Sequence, residues 1–321
     1  MCKRGHFDHM DKATSHPYRP LMIWFSRLPD ATKGILFMLV SVTSFSLMDG
    51  VAKLLGQRVD VSQVLLARYG GQLLILLLLF NHNIPRLLRT DYPRLQWVRA
   101  VFQLAAAACF FIALKTVGLA EATAVADLAP VMITLGAALL LKERVGPRRA
   151  FGIAAAMIGA LIVIRPTGDV FTPAALWPLG TAVCIAGYAI ATRYIGKSEP
   201  VQTGLIYSGI FGAGVMILIV PFRWVTPDAT TWGLMALIGL IGTFAQLTMI
   251  QAYSTAEASA VAPFSYAGLI TASLWGVVIF DTWPDRYTVL GALVIVSAGL
   301  YVWHRETRGP TVARAASKKA T

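Results

Sequence analysis

The sequence AEATAVA at residues 120–126 returns as AEASAVA at residues 256–262, with Thr123 replaced by Ser259. Each copy opens an apolar run that is followed by a short polar loop and a second apolar run. A repeat of this kind indicates that the chain consists of two homologous halves. In membrane proteins, two such halves often enclose a substrate site between them.

The composition of the chain is that of a protein embedded in a lipid bilayer. Of its 321 residues, 56% are hydrophobic and 14% are charged, whereas soluble domains carry about 25% charged residues. The net charge of +12 does not indicate nucleic-acid binding, because the basic residues lie in short loops and tails between apolar runs. We therefore predict an all-α integral membrane protein with no nucleic-acid partner.

Ten apolar runs are long enough to cross a bilayer, which takes about 20 residues in a helix. These predicted spans cover residues 34–55, 61–80, 96–115, 119–141, 149–165, 174–195, 201–221, 230–251, 257–280 and 287–303. They divide into a first repeat at residues 34–165 and a second repeat at residues 174–303. A polar N-terminal tail (1–33) and a basic C-terminal tail (304–321) flank the repeats.

Lysine and arginine are distributed unequally between alternate loops. If the N-terminus is cytoplasmic, the cytoplasmic segments hold roughly four times as many basic residues as the opposite loops, which is the bias that sets orientation. This asymmetry predicts that both termini are cytoplasmic. Because five spans per repeat is an odd number, the second repeat should be inverted relative to the first.

Three charged side chains fall well inside the predicted spans, where a charge costs about 2.5–3.5 kcal/mol. Asp49, Arg68 and Asp127 lie in one layer, about 9–12 Å below the same surface. Gln72, one turn after Arg68, extends a polar stripe on the second span. This layer either lines a site for substrate or coupling ion, or it is a buried ion-pair network that locks helices together. Lys53 is nearer the surface and could simply reach the interface.

Other polar and helix-breaking residues interrupt the apolar runs. Pro130 and Pro263 cannot donate a backbone hydrogen bond, so each frees a carbonyl one turn earlier. Within a membrane such a carbonyl must be buried in protein or line a wet cavity, and we regard both prolines as candidate helix breaks with a gating role. Further candidates for the substrate site are Tyr188, Tyr207, Gln246 and Tyr266. Each of these could equally be a packed core residue.

The sequence offers no convincing set of catalytic or cofactor-binding groups. The phosphate-binding patterns GxxxxGKS and GxxxxGKT are absent, as are HExxH, GxSxG and CxxC. We therefore expect a protein that is not an enzyme and that uses no metal ion or cofactor. A membrane enzyme acting on lipid-linked substrates is the alternative from another class, and dependence on a divalent metal would favour it.

With these motifs in view, the chain resembles the drug/metabolite transporter superfamily, and specifically its bacterial EamA-type branch. The resemblance covers about residues 34–303 and rests on ten spans and two copies of one block. The first copy comprises Ala113-Leu114-Lys115, Ala120-Glu121-Ala122, Pro130, Lys142-Glu143-Arg144 and Gly159. The second copy comprises Ala252-Tyr253, Ala256-Glu257-Ala258, Ala262-Pro263-Phe264, Tyr266, Phe280-Asp281, Pro284-Asp285, Gly291 and Gly299.

This resemblance implies a ten-span, inverted-repeat carrier of small molecules in the bacterial inner membrane. The branch includes exporters of amino acids and metabolites, and importers of S-adenosylmethionine and of riboflavin. The block around Pro263 and Tyr266 is similar to the importers, which favours uptake of a vitamin-like or nucleoside-like compound, riboflavin first and S-adenosylmethionine second. Efflux of amino acids or drugs is the alternative, because one cavity would serve either direction. The sequence does not decide whether the protein forms a homodimer.

Overall fold

A computed structural model describes residues 28–80, 84–140, 147–164, 176–195, 199–256 and 261–308. The α-helices in this part of the chain are α1 (Asp30–Gly56), α2 (Val61–Phe80), α3 (Ile84–Leu87), α4 (Pro93–Ala113), α5 (Leu119–Ala126), α6 (Ala129–Leu140), α7 (Pro147–Ile164), α8 (Trp177–Ile195), α9 (Val201–Ile219), α10 (Ala229–Thr255), α11 (Ala267–Phe280) and α12 (Arg286–Arg308). Two 3-10 segments, Val220–Arg223 and Ala262–Tyr266, complete the described elements. The predicted all-α class is confirmed.

Some sequence predictions concern residues outside the described ranges. These are the greater part of both tails, the loop Lys142-Glu143-Arg144 and the repeat residue Glu257.

The ten predicted spans coincide with the described helices. Spans 1, 2 and 3 are α1, α2 and α4, span 4 is α5 with α6, and spans 5 to 8 are α7 to α10. Span 9 is the 3-10 segment Ala262–Tyr266 with α11, and span 10 is α12. The helices of spans 1, 2, 3, 7 and 8 are long and apolar enough to cross a membrane, while those of spans 5, 6, 9 and 10 are shorter apolar helices.

Local signals set the ends of several helices. The Asp228 carboxylate accepts a hydrogen bond of 2.7 Å from the Thr231 N–H and so caps the start of α10. Glu121, in the first turn of α5, accepts a bond of 3.3 Å from the Gly118 N–H, which is the role favoured for a carboxylate at this position. Asp281 has a φ of 51° and ends α11 in the left-handed conformation.

The helix packing has the two-fold symmetry of the sequence repeat. Span 1 packs on span 8 as span 6 packs on span 3, and span 2 packs on span 8 as span 7 packs on span 3. Spans 2 and 7, spans 4 and 9, and spans 5 and 10 contact their own counterparts. Replacing each span by the equivalent span of the other repeat therefore leaves this set of contacts unchanged.

The crossing of spans 2 and 8 depends on two glycines. A Cβ added to Gly71 would lie 2.8 Å from the Gly239 Cα, which is closer than carbon atoms can pack. Small residues allow transmembrane helices to approach in this way, and the gain is van der Waals contact along both backbones. This crossing helps to hold the second span against the eighth.

The loops gather in two groups. At one end, polar contacts join Arg58 to Asp228 (3.5 Å), Arg223 to Asp60 (3.8 Å) and Lys53 to the Val117 carbonyl (2.9 Å). At the other end, the Glu199 carboxylate accepts bonds from the Asp91 N–H (2.8 Å) and the Gln96 amide (2.5 Å). We call these the Lys53 end and the Glu199 end. Alternate loops share an end, as expected when consecutive spans run in opposite directions.

Candidate substrate cavity

A cavity of about 330 Å³ lies among spans 1, 2, 3, 4, 6 and 8. It is therefore built from both repeats. Its polar lining residues are Asp49, Arg68, Gln103, Thr123, Asp127, Thr181, Tyr188 and Gln246. Aromatic and aliphatic side chains, among them Phe45 and Phe110, form most of the remaining wall. A largely apolar cavity with a few convergent polar groups is the usual form of a small-molecule site.

The three charged residues of the predicted layer all line this one cavity, but they do not pair directly. The Arg68 guanidinium lies over the rings of Tyr69 and Phe111, 5.4 Å from each centroid. The ion pairs of the described residues lie at helix ends and in loops, and none includes Asp49, Arg68 or Asp127. The geometry thus gives no direct salt bridge to support the alternative of a locking ion-pair network.

Span 4 is interrupted beside the cavity. The sequence predicts one helix over residues 119–141, whereas α5 ends at Ala126 and α6 begins at Ala129. Pro130 has no N–H for the Ala126 carbonyl, and Ala126 lines the cavity. The interruption lies where Pro130 predicts it, and interrupted helices form substrate sites in many carriers.

Asp127 lies in this interruption and presents an unsatisfied oxygen. Its backbone N–H donates to the Thr123 carbonyl at 2.9 Å, which keeps the chain close to helical geometry. Its Oδ2 atom is fully buried and has no hydrogen-bond partner. A buried carboxylate oxygen without a partner is costly, so this atom marks a place where a cation or a donor could bind.

Two of the aromatic and amide candidates line the same cavity. Tyr188 of α8 and Gln246 of α10 both come from the second repeat and line the cavity. A tyrosine ring offers a flat apolar face with a polar tip, which suits a ring-bearing ligand. Their role in binding remains a prediction.

The other three candidates lie elsewhere. Gln72 is buried between spans 2 and 7, where its amide donates to the Leu205 carbonyl at 3.1 Å. The Tyr207 hydroxyl donates to the Leu88 carbonyl at 3.1 Å, near the Glu199 end. Tyr266 lines a separate apolar groove of about 400 Å³ between spans 9 and 10. The spacing and polarity of residues in the sequence place a side chain on one face of a helix. They do not show whether that face lines a cavity or packs against another helix.

Pro263 is in the first turn of the 3-10 segment Ala262–Tyr266. Span 9 is predicted as one helix over 257–280, but in the described part this 3-10 segment lies between the helical residue Val261 and α11.

Sequence reasoning missed two polar residues on span 3. Gln103 lines the cavity and accepts a hydrogen bond of 2.5 Å from the Ser208 hydroxyl. Arg99 lies inside the predicted third span but was not named as a candidate, yet it is 5% exposed and its guanidinium lies 5.0 Å from the centroid of the Tyr188 ring. The spacing Gln96–Arg99–Gln103, three and then four residues, would have placed them on one helix face.

Lys53 is bound within the protein and does not simply extend to the interface. Its ammonium donates to the Val117 carbonyl at 2.9 Å and lies 5.1 Å from the centroid of the Phe280 ring. These contacts connect span 1 with the loop after span 3 and with the end of span 9. Lys53 thus contributes to closing the Lys53 end of the bundle.

The family of the chain follows from comparison with known proteins. The model of the EamA-like transporter family matches residues 32–165 and again residues 172–303. The chain belongs to this family. It is a multi-pass membrane protein and a transporter of small molecules, with two copies of the family's repeat. The resemblance noted from the sequence is confirmed.

Several curated relatives match nearly the whole EamA chain. An S-adenosylmethionine uptake transporter of Rickettsia prowazekii is 26% identical over 86% of this chain and 94% of its own length. A riboflavin transporter of Rhizobium johnstonii is 29% identical over 87% and 93%. A pseudopaline exporter of Pseudomonas aeruginosa is 28% identical over 83% and 94%.

A solved crystal structure also has the same fold. It is 21% identical and has a TM-score of 0.55, and the alignment covers 84% of this chain and 96% of that one.

Proposed function

We propose that this EamA protein is a secondary carrier that takes up a small ring-bearing metabolite across the bacterial inner membrane. The observation that carries the proposal is the cavity between the repeats, where Asp49, Arg68, Asp127 and Tyr188 converge beside the interruption of span 4. The substrate class we propose is a vitamin-like or nucleoside-like compound. Riboflavin and S-adenosylmethionine are the first probes, since relatives are named for the transport of each.

The proposed mechanism is alternating access, in which the two repeats rock about the cavity. The two-fold packing supports this mechanism. Exchanging the roles of the two repeats gives a second conformation of the bundle that has the same set of helix contacts. The Lys53 contacts to Val117 and Phe280 would hold one end closed. In the orientation we propose, both termini are cytoplasmic, the Lys53 end is periplasmic and the Glu199 end is cytoplasmic.

Export is the second candidate function. It is favoured by the likeness to the pseudopaline exporter, which is as similar to this chain as the uptake transporters are. The cavity would bind substrate in either direction, because the sign of net transport depends on the gradients and not on the lining groups.

Flux in purified proteoliposomes tests the proposal. Uptake of labelled riboflavin and S-adenosylmethionine would be followed for the wild type, for Asp49→Asn, and for Asp281→Asn as a control in an exposed loop. We expect flux of one probe that is lost in Asp49→Asn and kept in the control. No flux of either probe, in vesicles that hold folded protein, would contradict uptake of this substrate class. Equal flux through Asp49→Asn and Asp281→Asn would show that the cavity is not the substrate site.

A further inference from the structure

Two charged side chains, Asp127 and Arg99, have no charged partner among the residues that the structure describes. Arg68 is the charged group that acts electrostatically on Asp49, although the two form no direct ion pair. No cation acts comparably on Asp127, and its Oδ2 atom has no partner. Arg99, the other buried guanidinium, is in none of the ion pairs of the described residues. One carboxylate and one guanidinium therefore remain uncompensated.

The Arg99 guanidinium is held in a close-fitting pocket of the protein. Its Nε atom is buried without a hydrogen-bond partner. The guanidinium lies against Gly204 of span 7, so closely that a Cβ at that position would occupy its place. A charged donor that is buried without a partner indicates a site that a ligand completes.

The two uncompensated charges lie at different depths. Arg99 is six residues into α4 from the Glu199 end, or about 9 Å along the helix axis, and Asp127 is eight residues from the start of α5 at the Lys53 end, or about 12 Å. In a hydrocarbon core about 30 Å thick, these depths leave about 9 Å between the two levels. Tyr188 connects them, since its ring contacts Arg99 and also lines the cavity with Asp127.

We propose that Arg99 and Asp127 bind the anionic and cationic ends of a zwitterionic ligand whose ring lies against Tyr188. A guanidinium is suited to a carboxylate, because its planar donors match two oxygens. The Asp127 oxygen is suited to an ammonium or sulfonium group. The inference rests on the proposed transport function and narrows it, since it favours an amino-acid-bearing nucleoside such as S-adenosylmethionine over neutral riboflavin.

Three ligands test this assignment by thermal shift and titration on the purified full-length protein. They are S-adenosylmethionine, its decarboxylated form, which keeps both cationic centres but lacks the carboxylate, and riboflavin. A ligand that binds the folded state raises the melting temperature. We expect S-adenosylmethionine to bind about ten-fold or more tightly than the decarboxylated form, the difference that one charge-assisted hydrogen bond makes.

Variants assign each end of the ligand. Arg99→Gln should remove the preference for the carboxylate and leave the decarboxylated form unchanged, whereas Asp127→Asn should weaken both forms alike. Gly204→Ala should act as Arg99→Gln does, by displacing the guanidinium without removing it. Gly214→Ala is the matched control, because it is on the same helix and nothing lies within 4 Å of its added Cβ.

The outcomes separate the inference from the proposed function. Binding of riboflavin without binding of S-adenosylmethionine would overturn the zwitterion assignment and leave the carrier proposal in place. Equal affinity for S-adenosylmethionine and its decarboxylated form in the wild type would remove Arg99 from the site. Binding of none of the three would reject both the proposed substrate class and the zwitterion.

Discussion

Spans 4 and 9 carry the same sequence motif, yet their chemistry differs. An offset of 136 residues, from Ala120 to Ala256, aligns Asp127 with Pro263 and Pro130 with Tyr266. Span 4 is interrupted at Asp127, which lines the cavity, and span 9 contains a 3-10 segment that ends at Tyr266. Tyr266 lines an apolar groove between spans 9 and 10, although its hydroxyl interacts electrostatically with Asp127. Equivalent positions in the two repeats thus face different surroundings.

The difference shows which properties of the chain come from duplication. Helix packing and the positions of the loops follow the two-fold repeat, because both halves bury the same pattern of apolar and small residues. The charged lining of the cavity does not follow it, since Asp49, Arg68 and Asp127 all belong to the first repeat. A cavity that is charged on one side only favours one orientation of a charged ligand.

The sharpest test of this comparison changes one polar side chain in each of spans 4 and 9. Asp127→Asn should lower the affinity for the transported ligand about ten-fold or more, since a charge-assisted contact is worth about 1.5–3 kcal/mol. Tyr266→Phe should change it little, because the substitution removes no charge and keeps the ring in the apolar groove. Both are measured as the half-saturating concentration for flux. Equal losses in the two variants would mean that the repeats contribute symmetrically.

The shared scaffold can be broken without touching the site. Gly71→Ala should force spans 2 and 8 apart, because its Cβ would lie 2.8 Å from Gly239 Cα, and overpacking of this kind costs about 1–3 kcal/mol. Thermal unfolding in detergent would show the loss against Gly214→Ala, where nothing lies within 4 Å. A Gly71→Ala protein as stable as its control would show that the crossing is loose.

The two ends of the bundle provide a pH test. Glu199 lies in the loop after span 6, the place that Asp60 occupies after span 1. Burial alone would raise the pKa of the Glu199 carboxyl. Hydrogen bonds from Thr90, Gln96 and the Asp91 backbone outweigh burial and hold its pKa below the ordinary 4.5. With a lowered pKa, the stabilisation is present above about pH 4.5 and is lost as pH falls through the folded-state value.

Glu199→Gln should therefore cost about 1–2 kcal/mol near neutral pH and progressively less in acid. Unfolding of wild type and variant between pH 7 and about pH 3 checks this, with Asp91→Asn as an exposed control. A difference in unfolding free energy between wild type and Glu199→Gln that stays constant over this pH range would rule out the ionised carboxylate as the cause.

The smallest effect is expected where sequence reasoning chose a residue that lies outside the cavity. Tyr207→Phe removes an exposed hydrogen bond to the Leu88 carbonyl. It keeps the aromatic ring in contact with Trp97, with the two ring centroids 5.2 Å apart. Stability should change by less than about 0.5 kcal/mol, and flux should be unchanged. A strong loss of flux would extend the site towards the Glu199 end.

The sequence predicts the scaffold well because apolar length and the repeat are properties of the chain itself. All ten spans were located, and the interruption at Pro130 follows from its missing N–H. The cavity was predicted in part, through the depths of Asp49, Arg68 and Asp127. Arg99 was missed because its charge resembles a topology signal, and its burial depends on Gly204 of a distant span.

Access of water to the cavity between the repeats can be tested without knowing the substrate. In a protein with Cys2, Cys109 and Cys184 replaced by serine, single cysteines at Gln246 and Leu240 would be exposed to a charged thiol reagent. Both are on α10, but Gln246 lines the cavity and Leu240 is 58% exposed on the outer face of the bundle. We expect rapid modification at Gln246→Cys and almost none at Leu240→Cys, which faces lipid. Equal protection at both positions would contradict this expectation.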